Sequence, residues 1–214
     1  MTAIDAARHT YHHGDLRQAL LEAGLELAAA SGPDAVVLRE ATRRVGVSPN
    51  AAYRHFADRD ALLEAVSDAA MARMAGSIDE IFDAIPPGDP REVACAQLRA
   101  VGTGYVAFAV DHPGLFRTAF FVPADMERAA TAEKAGRSGR TPFELLTVAI
   151  DGLVASGTMP ESRRPNAEFL AWSAVHGFAL LVIDGPLRAL PRPAVDATTQ
   201  RVIDMVEAGF TAAE

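Results

Sequence analysis

The sequence predicts an all-α protein of about nine helices in two unequal parts. Three observations carry this. Alanine and leucine dominate over β-branched residues among the hydrophobic half of the 214-residue chain, a composition that favours helices over sheets. Apolar residues recur three and four apart along most of the length, and no alternating strand pattern of any length occurs. Proline and glycine fall between these runs, where helices begin and end.

The first helix is expected to open at Asp15, with Leu16, Leu20, Ala23 and Leu27 on one face, and to stop at "SGP", residues 31–33. A short second helix covers about Leu38 to Val45. After a turn at Gly46, Ser48 stands as an N-cap with Pro49 at the first helical position, where a missing N–H costs nothing. The third helix is brief and carries "PNAAYRHF". Asp58 caps a fourth, from Arg59 towards Phe82, and "PPGDP" at 86–90 breaks the chain. Further helices are expected at about Arg91–Val110, after "HPG", at Pro142–Ser156, Pro165–Ile183 and Val195–Thr211. The polar stretch 127–142 reads as a mobile loop or a fraying helix end.

One cysteine, Cys95, excludes an intrachain disulfide and points to a reducing compartment. No uninterrupted apolar run approaches the ~20 residues that span a bilayer, and the N-terminus lacks a basic-then-apolar signal. A cytoplasmic protein with no membrane partner is expected. The net charge of −8 is unevenly spread: Val37 to Arg59 holds five arginines against Glu40 and Asp58. A basic island on an acidic body is the footprint of a small nucleic-acid-reading module.

Residues 38–56, "LREATRRVGVSPNAAYRHF", have the dimensions of a helix-turn-helix, which presents a ridge that fits the major groove. Leu38, Ala41, Val45, Val47, Ala52 and Phe56 can form a small core. Arg39, Arg43, Asn50, Ala51, Tyr53 and His55 are left outward.

The run "VSPNAAYRHFADRDALLEAV" resembles the TetR family of transcriptional regulators. "FLAWSAVHGFALL" is similar to the Trp-x-x-x-His-Gly segment of one TetR subgroup, and "YVAFAVDHPGLFRTAFF" to that subgroup's preceding helices. The resemblance covers nearly the whole chain. It implies a DNA-binding domain at 1–60 and a ligand-binding and dimerisation domain at 61–214. It further implies that Ser48, Tyr53, His55 and Arg59 contact phosphates while Pro49, Asn50 and Ala51 face base edges, with Arg39 and Arg43 alongside. The chemistry agrees: Asn50 can bond adenine bidentately, Ala51 can touch a thymine methyl, and hydroxyls and imidazole suit phosphate. Three positions depart from the family. Val37 replaces a frequent threonine, so the second helix lacks its usual cap; Asn50 replaces a frequent glycine; and Arg59 replaces lysine, a fork for a point charge.

The adjacent histidines His12 and His13 are too close in sequence to share a metal on a helix, and no cysteine or histidine cluster completes a set. They read as a helix start, with Tyr11, His12 or His13 near the DNA backbone. No metal and no cofactor is expected.

In the larger part the resemblance implies a small-molecule pocket, for which Phe108, Phe116, Phe120, Phe143, Trp172 and His176 are the candidates, His176 as a polar group among apolar walls. Core packing is the plainer reading for most of these aromatics. The last two long helices carry apolar faces, Phe169, Val175 and Ala179 on one and Val202, Val206 and Phe210 on the other. The resemblance implies a four-helix homodimer interface there. The expected function is a regulator, a repressor binding a palindromic DNA operator as a dimer and released by an unidentified apolar effector. Rival readings are a helical enzyme or a non-specific DNA binder. The enzyme lacks Glu-x-x-His, Gly-x-Ser-x-Gly and a phosphate-binding glycine loop, and Asp111-His112 sits at a helix break.

Overall fold

The computed structural model describes residues 13–122 and 131–211, with side chains from Leu16 onward. Nine α-helices and three short 3-10 turns occur among them, and no strand.

Helix α1, His13–Ser31, starts two residues before the expected Asp15, which therefore lies in the first turn rather than at its edge. His12 and Tyr11 lie outside the described residues. Gly32, at φ 78°, turns the chain into a 3-10 turn at Pro33–Ala35. Helix α2, Leu38–Val45, lacks a side-chain cap at Val37, as the departure from threonine implied, and ends on Gly46 in the left-handed conformation. Helix α3 is only Pro49–Ala52. Tyr53 to His55 continue as a hydrogen-bonded turn, closed by the amides of His55 and Phe56 on the Ala52 carbonyl.

Helix α4, Arg59–Asp83, is capped by the Asp58 carboxylate, which accepts from the Ala61 amide at 2.8 Å. It runs unbroken from the N-terminal unit into the rest of the molecule and packs on α1 at one end. Gly24 of α1 permits this approach, because a Cβ there would stand 2.6 Å from Val66. Helix α5, Pro90–Asp111, is the hub, packed on α4 and on α6 (Pro113–Ala119), α7 (Pro142–Ala155), α8 (Ala167–Ile183) and α9 (Arg192–Thr211). Its mean hydropathy of 1.3 and its 22 residues match a membrane span. Its apolar side chains, from Leu98 to Ala109, are instead buried in the core. One continuous hydrophobic core links Leu20 of α1 to Phe210 of α9.

The segment expected to be a mobile loop is packed where it is described. Residues 131–141 run along α4. Lys134 is buried beside Asp68 with 3.6 Å between the charged groups, and the Ser138 amide donates to Asp79 at 3.0 Å. Burial pushes the Asp68 carboxyl above its ordinary range, with Lys134 opposing. A Cβ on Gly136 would stand 2.8 Å from the Gly76 backbone. The polar composition that suggested a loop serves this charged contact. Thr141 and Glu144 form a reciprocal capping box that ends the segment and starts α7.

Candidate functional site

The N-terminal unit folds around Leu38, Ala41, Ala52 and Phe56, all buried, as the bipolar pattern predicts. Arg17 lies over the Phe56 ring, 5.0 Å from its centroid, and covers the base of this core. Packing these residues inward leaves a ridge. Ser48, Pro49, Asn50 and Tyr53 are exposed, Tyr53 by 56%, while Ala51 and His55 are half-buried.

Ser48 takes the N-cap backbone conformation, but its hydroxyl makes no capping bond. The expected cap is thus a backbone cap only, and the hydroxyl remains available to an external acceptor. Its carbonyl accepts from the Ala51 amide at 3.0 Å.

The basic island is more committed than its sequence suggests. Arg43 makes a two-point bond to Glu40, at 2.9 and 2.6 Å, and holds that carboxyl below its ordinary range. Arg44 bonds Glu26 at 3.1 Å. Arg59 donates to the carbonyls of Val36 at 2.9 Å and Pro33 at 3.0 Å, tying the start of α4 to the α1–α2 connection. Its third nitrogen stands 3.7 Å from Asp60. The fork of an arginine, in place of a lysine's single charge, is what allows this clamp. Arg39 and Arg54 are exposed and have no side-chain partner among the described residues. Arg54, absent from the expected contacts, was signalled only by its place in the basic island.

The second site lies where α5, α6 and α8 meet. The Trp172 Nε1–H donates to the Tyr105 hydroxyl at 3.0 Å, and that hydroxyl lies 2.7 Å from Nδ1 of His176. Phe116 of α6 and Phe120, just past its end, pack on His176 with ring centroids at 5.7 and 4.9 Å, and Phe143 of α7 meets Trp172 at 6.1 Å. Five of the six expected pocket residues therefore belong to one cluster. Phe108 does not: it is buried against His112 at 5.1 Å. Tyr105 was missed. The available signal was a phenol on an otherwise apolar helix, since a buried hydroxyl requires a partner.

Burial raises the Tyr105 phenol well above its ordinary range and lowers the His176 imidazole, so both are neutral at pH 7. The sign of the linkage follows. A histidine depressed in the fold binds its proton first in the unfolded chain, so its contribution is present at neutral pH and is lost as pH falls below the ordinary imidazole range. Wild-type protein should lose melting temperature between about pH 7 and 5 more steeply than His176→Gln. Parallel pH profiles would show that burial of this imidazole has no such cost.

One cavity opens on the cluster and another lies apart from it. A cleft of about 620 Å³ opens between the α1–α2 connection, at Gly32 to Asp34, and the α6–α8 surface, at Phe116, Phe120 and His176. A void of about 20 Å³ between α5, α7, α8 and α9, lined by Leu98, Val175 and Val206 among others, has room for about one water.

The model of bacterial regulatory proteins of the tetR family matches residues 20–66, and that of the tetracyclin repressor-like C-terminal domain matches residues 98–206, about half the chain. The chain belongs to the TetR family. Its structure superposes on that of a protein of unknown function from Rhodococcus sp. RHA1 with TM-score 0.74 at 25% identity, covering 96% of this chain and 100% of that one. A TetR-family transcriptional regulator from Pectobacterium atrosepticum gives TM-score 0.69 at 17% identity, with 96% and 99% covered. A TetR variant from Acinetobacter baumannii AYE in complex with minocycline gives 0.57 at 21%, with 91% and 97% covered. No curated protein matches the chain.

The ridge is thus the helix-turn-helix of a TetR-family regulator, and the aromatic cluster belongs to its larger helical domain. The family is one of bacterial regulatory proteins. The pair once suggestive of chemistry is engaged otherwise, Asp111 by Arg192 and His112 by Phe108. Among the described residues no three histidine, cysteine, aspartate or glutamate side chains converge to hold a metal.

Of the residues expected at a dimer face, three point inward and Phe169 points outward. Val175, Ala179 and Phe210 are buried within the protomer. Val175 packs on α5, near Gly102. Val202 and Val206 are half-buried. In α8 the apolar residues spread over more than one face, so periodicity did not separate its inward face from its outward one. The exposed apolar residues are Phe169, Leu170, Leu180 and Leu181 on α8 and Met205 on α9, with Leu170 exposed by 64%. Gly177, between them, has open space where a Cβ would be.

Proposed function

We propose that this TetR-family protein is a repressor that binds a palindromic operator as a homodimer and is released by a small apolar effector. The observation that carries this reading is the ridge itself. Ser48, Asn50 and Tyr53 stand exposed with uncommitted polar groups among the described residues, on a unit joined by the unbroken helix α4 to the aromatic cluster. Asn50 and Ala51 read base edges; Ser48, Tyr53, His55 and Arg39 bind phosphates. Arg43 reaches DNA only by exchanging Glu40 for a phosphate, and Arg59 acts chiefly by holding α4 to the α1–α2 connection.

The division at residue 60 is one of function, since α4 is continuous through it. The Trp-x-x-x-His-Gly motif has a physical meaning here: tryptophan and histidine share the Tyr105 hydroxyl, and the glycine leaves the outward face of α8 open. A DNA partner in the nucleoid places the protein in the cytoplasm. Effector release requires only about 2.7 kcal/mol of differential binding between two dimer geometries for a 100-fold loss of DNA affinity. A structural neighbour, the TetR variant from Acinetobacter baumannii AYE, is in complex with minocycline, which supports a small-molecule effector for this chain.

Selection of bound duplexes from a random pool tests the reading. Enrichment of a palindrome with half-sites about one helical turn or somewhat more apart supports it. Binding with steep salt dependence and no preferred site would identify a non-specific binder. The dimer surface has its own test. Leu170→Glu and Leu181→Glu each place a charge on the outward face of α8, and each should shift the protein to monomer by sedimentation and abolish binding to the full palindrome. A dimer that survives both puts the interface elsewhere.

A further inference from the structure

The Tyr105–His176–Trp172 network determines what His176 can offer to a ligand. An indole N–H only donates, so the Tyr105 oxygen accepts from Trp172. The phenol has a single proton, and among the described residues its only other hydrogen-bond partner is Nδ1 of His176. With a proton on Nδ1 the oxygen could accept twice, but the buried phenol's own proton would then have no partner, so Nδ1 accepts and the neutral ring carries its proton on Nε2. That nitrogen makes no hydrogen bond among the described residues and is not a sealed-off orphan in the core. His176 lines the 620 Å³ cleft at the joint of the two domains. The cleft thus holds one fixed N–H donor, flanked by Phe116 and Phe120.

The charged groups that line the cleft narrow the ligand's charge. Arg117 also lines the cleft, but its guanidinium is bonded to the Asp184 carboxylate at 2.8 and 2.6 Å. Asp34 stands on the opposite wall and is exposed. An anion would meet an already paired arginine and an opposing carboxylate. A cation would meet an N–H donor.

We propose that the effector is an uncharged, flat, apolar molecule bearing a hydrogen-bond acceptor, bound in the cleft between the α1–α2 connection and α6–α8 with its acceptor on the Nε2–H of His176. This rests on the reading of the chain as an effector-responsive regulator and names the class of effector. A molecule there touches both domains at once: Pro33 beside the DNA-reading unit, Phe120 and His176 in the helical domain.

The test uses two probes of one shape, 9-fluorenone, which has a carbonyl, and fluorene, which has a methylene in its place. Binding is followed without DNA through the fluorescence of Trp172, the only tryptophan in the chain. Wild-type protein should bind the ketone about tenfold more tightly, the yield of one hydrogen bond. His176→Leu should bind both alike, near the wild-type affinity for fluorene. His176→Gln, which keeps an N–H near the Nε2 position, should retain the preference and guards against a folding artefact in the leucine variant. Equal affinities in wild type overturn the proposal, as does a preference that survives in His176→Leu. So does failure of the protein to bind either probe, or tighter binding of fluorene-9-carboxylate than of fluorenone. Release of the selected operator is measured separately. A ketone preference without release leaves the site standing and removes the effector role. Loss of the preference with a specific operator intact removes the site and leaves the regulator.

Discussion

Gly114→Ala is expected to lower the urea midpoint by the equivalent of about 1–3 kcal/mol, although alanine is the better helix former. In α6 a Cβ at this position would stand 2.2 Å from the carbonyl oxygen of Ala28 and 2.7 Å from that of Ala29. Ordinary carbon–oxygen contacts lie near 3.3 Å, so α6 would have to withdraw by roughly 1 Å. Both opposing atoms are backbone, in the last turn of α1, and no side-chain rotation relieves them. Intrinsic propensity returns at most about 1 kcal/mol, which the overlap exceeds. The withdrawal also moves Phe116 in α6 and Phe120 at its C-terminal end, both members of the aromatic cluster, so Trp172 fluorescence should change alongside stability. Gly76→Ala is the control. It lies within α4 with nothing among the described residues within 4 Å of the added carbon and should be neutral or slightly stabilising. Equal midpoints for wild type and Gly114→Ala would show that α6 is not seated on α1 in this way.

Tyr53→Ala is expected to weaken operator binding about tenfold or more, by similar factors for the best site and its variants, with no loss of stability. The ring is 56% exposed and contributes little to the core, so its truncation removes a contact outside the protein rather than packing within it. Asn50→Ala should behave differently. The loss of a bidentate base contact costs about 1–3 kcal/mol at one base pair and relaxes preference there alone. Gel-shift titrations against the selected site and its single-base variants separate the two. If both substitutions scaled all sequences equally, the division of the ridge into base-reading and phosphate-binding residues would fail.

Much of the N-terminal unit was legible because its constraints are local. The cap at Asp58, the proline at the first position of α3, the glycine after α2 and the buried set from Leu38 to Phe56 each follow from neighbours within a few residues. What local reasoning placed less well was charge. Arg59 is as basic in sequence as Arg39, yet its fork closes on two carbonyls more than twenty residues away. The Ser48 hydroxyl was expected to cap and does not.

Composition and periodicity by themselves determined an all-α chain and the order and approximate limits of its helices, because helix formation and capping act over one or two turns, while the resemblance to the TetR family marked residues 38–56 as the DNA-reading unit. Only the tertiary structure decided which face of α8 and α9 is inward, that Lys134 draws a polar segment onto α4, and that Tyr105 joins Trp172 and His176. Those outcomes depend on contacts between residues tens of positions apart. On a helix apolar around most of its circumference, the burying face is chosen by the neighbour it meets, not by the spacing of its own residues.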